Sequence, residues 1–251
     1  MSAVVERRTP IVRAVLAQAR MELTLALRSA ESLLVTLGIP LGILIAFSLV
    51  DALPGGGRDR VPDLVAGVLG VSVVASGLVS LAIQTGFERK YGVLKLLGGS
   101  PLPRAGLLAA KVLAVLGTLV VQAALVTLVA RVGFDWQPTG SVVAVLLAVV
   151  LGSAAFGSIG MLLAGTLRAE GTLAVSNAVF LAATALGGLV VPRADLPAAL
   201  AAVDRWLPSG ALGDALRAGF GSQIDGTALA VLAAWALLAA LAASRTFRWE
   251  P

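Results

Sequence analysis

Charged side chains are nearly absent from six long windows of the chain and crowded into the segments between them. The windows run roughly Leu33–Val50, Leu64–Ile83, Ala105–Ala130, Val142–Ala164, Leu173–Val191 and Ala228–Ala243. A helix needs about 20 mostly apolar residues to cross the roughly 30 Å hydrocarbon layer of a bilayer. The windows therefore predict six transmembrane helices, the last of them short. Residues 1–30 follow a different rhythm. At 100° per residue Val12, Val15, Leu16, Ala19, Leu23, Ala26 and Leu27 share one helical face, and Arg13, Arg20, Thr24 and Arg28 the other. Such a helix either lies flat at a membrane surface or packs on protein. Its position beside a cluster of positive charge, ahead of the first window, favours the surface.

Composition agrees with this pattern. Of 251 residues, 58% are apolar and 13% charged, against about 25% charged in a soluble domain. The basic residues also orient the chain. Arg7, Arg8, Arg13, Arg20, Arg28, Arg89, Lys90, Lys95, Arg104, Lys111, Arg168, Arg245 and Arg248 fall on one side of the six windows. Arg58, Arg60, Arg131, Arg193, Arg205 and Arg217 fall on the other. The positive-inside rule makes the first side cytoplasmic, with both termini in the cytoplasm. All six Glu lie on that side and all eight Asp on the other. No short apolar core follows the first basic residues, so a cleaved signal peptide is not expected.

The residues that are missing narrow the chemistry. With no Cys and no His, thiolate or imidazole metal sites, Cys nucleophiles and Ser–His catalysis are excluded. The windows hold no paired carboxylates, which argues against an intramembrane enzyme and against ion-coupled transport. Their deep polar groups are few: Gln84, Gln122, Asn177 and scattered Ser and Thr. Asn177 is expected to bond a neighbouring helix. No basic tract with interleaved aromatics occurs, so nucleic acid is not an expected partner. Lys90, Lys95 and Lys111 are the only lysines, and none follows glycine, so the chain has no Gly-Lys-Ser/Thr phosphate loop. Pairs of small residues four apart, Gly38 and Gly42, Ser153 and Gly157, Gly160 and Ala164, are suited to close helix contact in lipid. Pro40 predicts a kink in the first span.

The loop at 87–104 carries the most specific signal. A helix-sized stretch from Glu88 to Leu97 is stopped by Gly98-Gly99 and then Pro101. Tyr91, Leu94 and Lys95 or Leu97 line one face, which suits a docking surface. Glu88, Arg89, Gly92, Leu94, Leu96, Leu97 and Pro101 resemble the loop between the second and third helices of ABC-2 type transporter permeases. Its usual pattern is Glu-Arg-Glu, one residue, Gly-Thr-Leu-Glu, leucines and Thr-Pro. Lys90 and Lys95 stand where that family often has Glu, and Val93 and Ser100 where it has Thr. A second resemblance lies at 192–225. Asp195, Pro197, the Leu-Pro ending in Pro208, and Arg217 match the family's stretch between the fifth and sixth helices. Read from the residues, Asp195 and Ser209 can each cap a short helix, and Gly187-Gly188 and Pro192 end the fifth span.

The resemblance implies an all-α membrane permease occupying 1–251 as a single domain. Helices 2 and 3 are joined by a cytoplasmic coupling helix, contacting the ATPase through Glu88, Arg89, Tyr91, Gly92, Leu94, Leu96, Leu97 and Pro101. Two outer half-helices separate helices 5 and 6. It implies a cytoplasmic ABC ATPase dimer that holds ATP and Mg, no cofactor or catalytic residue on this chain, and a second permease, identical or related. Closure of the ATPases would bring the two coupling loops together and open a path outward between the permeases. The expected location is the cell membrane. The acid-free spans lean toward a hydrophobic or amphipathic cargo, such as a drug or lipid. A non-transporting assembly or immunity subunit of the same fold is the alternative.

Overall fold

A computed structural model describes residues 11–28, 38–49, 61–93, 104–137 and 140–247. Regular structure among them is entirely helical: α1 (Ile11–Arg28), α2 (Ile39–Leu49), α3 (Val61–Lys90), α4 (Arg104–Phe134), α5 (Val142–Thr166), α6 (Ala169–Ala185), α7 (Ala198–Asp204), α8 (Pro208–Phe220) and α9 (Gly226–Thr246), with a 3-10 turn at Arg193–Asp195. Among the described residues, Val61–Lys90, Ala109–Phe134, Val142–Thr166 and Gly226–Thr246 are long and apolar enough to cross a membrane. At 1.5 Å per residue, even the 21-residue α9 reaches about 32 Å.

Two of the six expected spans are not described as helices of full spanning length. Only Ile39–Leu49 of the first is described as helix; positions 33–37 and 50 lie outside the described residues. The fifth, α6, has 17 residues, about 25 Å. It starts after the extended Leu167 and Arg168, and turns at Gly187-Gly188 close it.

Where α3 ends also departs from expectation. Glu88, Arg89 and Lys90 form its last turn rather than the first turn of a separate helix. Tyr91 is the C-cap, and Gly92 has φ +72° with its amide on the Arg89 carbonyl at 3.1 Å. That left-handed geometry is readily adopted by glycine and ends a helix. Leu94, Leu96, Leu97 and Pro101 lie outside the described residues.

Helix α3 is the axis of the bundle. Its first half, Val61–Val74, is buried on nearly every side, as expected of a helix that is apolar all round. It contacts α2, α4, α5 and α8, while α5 packs most extensively along α9. Midway, Ala75–Ser80 forms a π segment, where α5 crosses closely. A Cβ on Gly160 would lie 2.9 Å from the Leu78 carbonyl oxygen and 3.2 Å from that of Gly77. The pair Gly160 and Ala164 thus serves a contact inside this chain. Among the described residues, by contrast, nothing lies within 4 Å of the Gly42 Cβ position. Gly160→Val is expected to lower the stability of the purified protein by about 1–3 kcal/mol through overpacking, while Gly42→Val does not. Thermal melting in detergent reads both, and equal melting would refute the assigned crossing.

Helix α1 packs along α4, with Leu23 seated where Gly117 leaves room. Val12, Leu16, Met21 and Leu25 stay exposed beside Arg13 and Arg20. One face therefore meets protein, and the other, carrying apolar and basic side chains together, is exposed.

Helices α3 to α6 alternate in direction. Glu22, Lys90, Lys111, Gly165 and Phe247 gather at one end of the bundle. Asp63, Ser141, Gly188 and the start of α9 gather at the other.

Candidate functional site

The three residues that end α3 diverge onto three neighbours. The Glu88 carboxylate accepts from Lys111 Nζ at 2.8 Å, joining α3 to α4. Lys111 also faces Glu22 of α1 at 3.5 Å, and Gln18 donates to that same Glu22 oxygen at 3.0 Å. The Lys111 side chain is 3% exposed, so its charge is held by carboxylates rather than water. Arg89, also buried, donates to the Gly165 carbonyl at 2.9 Å and to the Leu167 carbonyl. A cation on the last carbonyls of a helix matches their partial negative charge. Lys90 pairs with Glu170 in the first turn of α6 and lies over the Phe87 and Tyr91 rings. Four helices and the α5–α6 connection therefore meet at one turn.

The expected coupling residues divide accordingly. Glu88 and Arg89 point into the bundle and hold it together, whereas Tyr91 is 69% exposed. Glu22, Gln18 and Glu170 were not marked by periodicity. Glu22 and Glu170 take partners far away in sequence, Lys111 and Lys90, while Gln18 bonds Glu22 one turn along α1; the one local signal was Lys111, a lone charge inside an apolar run.

The opposite end is built around Arg217 of α8. Its guanidinium donates to the Gly188 carbonyl at 2.5 Å and the Leu189 carbonyl at 2.8 Å, and Nε lies 3.6 Å from Asp63. Arg193 pairs with Asp214 at 2.5 Å. Asp204, fully buried, faces the Gly188 amide, Arg193 and Arg217. Burial pushes the Asp204 and Asp214 carboxyls up, and the facing guanidiniums oppose that shift. Of the residues expected here, Arg217 is the hub. Asp195 closes a 3-10 turn and does not cap α7, whose N-cap is Pro197. Ser209 lies within α8, because Pro208 takes the first helical position with its φ already set. Asn177 bonds its own helix at the Leu173 carbonyl, 2.9 Å, rather than a neighbour.

Between these ends, α2, α3 and α6 enclose an apolar cavity of about 210 Å³. Pro40, Ile43, Phe47, Leu64, Val68 and Phe180 line it, and Thr184 supplies a hydroxyl. No group of three or more Asp or Glu that could hold a metal occurs among the described residues.

The family model described as ABC-2 type transporter matches residues 13–220. No curated protein matches the chain.

Proposed function

The chain belongs to the ABC-2 type transporter family as a multi-pass membrane component, and on that premise we propose that it is the permease subunit of an ATP-driven exporter. Its ATPase dimer docks on the segment after α3, from Tyr91 to Pro101. That end is cytoplasmic, six spans cross the cell membrane, and a second permease, identical or related, completes the path. One observation carries the reading: the last turn of α3 ties to α4, α6 and the α5–α6 connection through Glu88, Arg89 and Lys90, and by way of Lys111 to Glu22 of α1. A push applied just beyond Gly92 reaches all of them at once. Rigid-body motion of packed helices needs such a node more than it needs chemistry at a residue.

The apolar cavity between α2, α3 and α6 supports a hydrophobic or amphipathic cargo, since its walls offer little to a charged one. ATP and Mg stay on the ATPase, and this chain supplies motion and a path.

The experiment is affinity purification of the wild type beside Leu94→Asp and Tyr91→Asp. Each substitution places a charge on the docking face and is expected to cut ATPase recovery about thirtyfold, the cost of losing a 2 kcal/mol hot spot, with membrane insertion unchanged. Equal ATPase recovery in all three would sink the docking site. Stable association without cargo-stimulated hydrolysis would favour the assembly or immunity role.

A further inference from the structure

A second cavity, polar and about 150 Å³, opens between α8 and the start of α9. Its volume matches about five waters. Arg193, Arg205, Asp214, Asp225, Thr227 and Ala228 line it. None of these residues belongs to the docking node or the apolar cavity.

We propose that this cavity binds the zwitterionic head group, phosphate plus ammonium, of a membrane phospholipid.

The charges select that chemistry. Arg193 and Asp214 neutralise each other at 2.5 Å. Arg205 and Asp225 remain, and neither has an ion-pair partner among the described residues. Arg205 stacks on the Trp206 ring with its guanidinium carbon 4.9 Å from the centroid, which leaves its N–H groups free to donate. Asp225 caps α9 through Oδ1, accepting from the Ala228 amide at 3.0 Å. A carboxylate accepts through both oxygens, so Oδ2 is open to an ammonium. Thr227 adds a neutral hydroxyl. A purely anionic ligand would meet the two carboxylates, and a purely cationic one the two guanidiniums. A ligand carrying both charges satisfies the cavity.

Its surroundings select a lipid over a soluble zwitterion. The Trp235 indole N–H donates to the Trp206 carbonyl at 2.9 Å, and both rings are exposed. Exposed tryptophans mark the level of the head groups. From the cavity mouth, α9 runs away from that level and leaves Leu237, Leu238 and Leu241 exposed, a surface for acyl chains.

The test uses full-length protein in detergent and native mass spectrometry, with phosphatidylethanolamine and phosphatidylglycerol as probes. Wild type is expected to retain phosphatidylethanolamine in preference. Asp225→Asn keeps the helix cap, because Asn caps as well as Asp, and removes the charge. It is expected to lower phosphatidylethanolamine retention about tenfold, the worth of one charge-assisted hydrogen bond, and to leave phosphatidylglycerol unreduced. Arg205→Gln is expected to weaken both lipids, and Arg205→Lys to restore part of the loss. Equal retention of the two lipids by wild type, or an Asp225→Asn variant indistinguishable from wild type, overturns the proposal. Displacement by an equal concentration of soluble glycerophosphoethanolamine would assign the cavity to a soluble zwitterion and overturn the lipid.

Discussion

Lys111→Met is expected to destabilise the protein by about 3–5 kcal/mol and to uncouple the transporter. The lysine is 2.8 Å from Glu88 and 3.5 Å from Glu22, with its side chain almost wholly out of water. Removing one partner of a buried ionic cluster costs that much because the remaining charges stay buried without compensation. Glu22 keeps one donor, Gln18; the Glu88 Oε2 atom already lacks a hydrogen-bond partner. The variant therefore leaves two largely buried carboxylates, 13% and 18% exposed, without their shared cation. Lys111→Met combined with Glu22→Gln and Glu88→Gln removes every charge and is expected to regain most of the stability, since a neutral core of similar volume is often as stable as the ions it replaces. It is not expected to regain transport-coupled ATP hydrolysis, because α1, α3 and α4 are then no longer locked to one another. Thermal melting separates the single from the triple variant, and cargo-stimulated hydrolysis separates the triple from wild type. Wild-type melting in Lys111→Met would refute the node.

The same residues explain what was legible beforehand. The apolar windows located α3, α4, α5 and α9 to within a few residues at most ends, because a continuous apolar run in lipid has no alternative to a helix. Their ends were harder. The window for α3 stops at Ile83, yet the helix continues to Lys90, since Glu88, Arg89 and Lys90 find partners on α4, at the α5–α6 connection and on α6. Those partners lie 23, 76 and 80 residues away, beyond any local pattern. Capping was misread for a related reason. Asp195 and Ser209 each carry a capping side chain, but Pro197 and Pro208, with φ fixed, decided where α7 and α8 begin. The π segment at Ala75–Ser80 has no signature in a run of Ala, Ser, Gly, Leu and Val. The division of Glu to one side and Asp to the other had no rationale as a count. Among the described residues, Glu22, Glu88 and Glu170 sit in the ionic node at one end of the bundle, and Asp63, Asp204 and Asp214 in the node at the other.

Arg217→Met tests whether those nodes are separable. Arg217 ties α8 to the Gly188 and Leu189 carbonyls, and that link is packed too tightly to rearrange cheaply. A Cβ on Gly67 would lie 2.5 Å from the Leu189 carbonyl oxygen, and one on Gly213 would lie 2.5 Å from that of Gly188. Without the guanidinium, two buried carbonyls lose their donor, and Asp63, Asp204 and Asp214 lose a facing cation. The cost is about 3 kcal/mol, which amounts to local opening enhanced more than a hundredfold across residues 186–196. Hydrogen exchange read by mass spectrometry measures that change directly. Arg217→Lys keeps the charge but not the forked donor geometry, so its exchange is expected to fall between wild type and Arg217→Met. ATPase recovery should be unaffected in both, because Tyr91 and Lys111 sit at the other end of the bundle. Lys111→Met should show the reverse: faster exchange at the end of α3 and wild-type protection at 186–196. A change at both ends in either variant would mean the bundle opens as one unit, and the division of labour between its two ends would have to be abandoned.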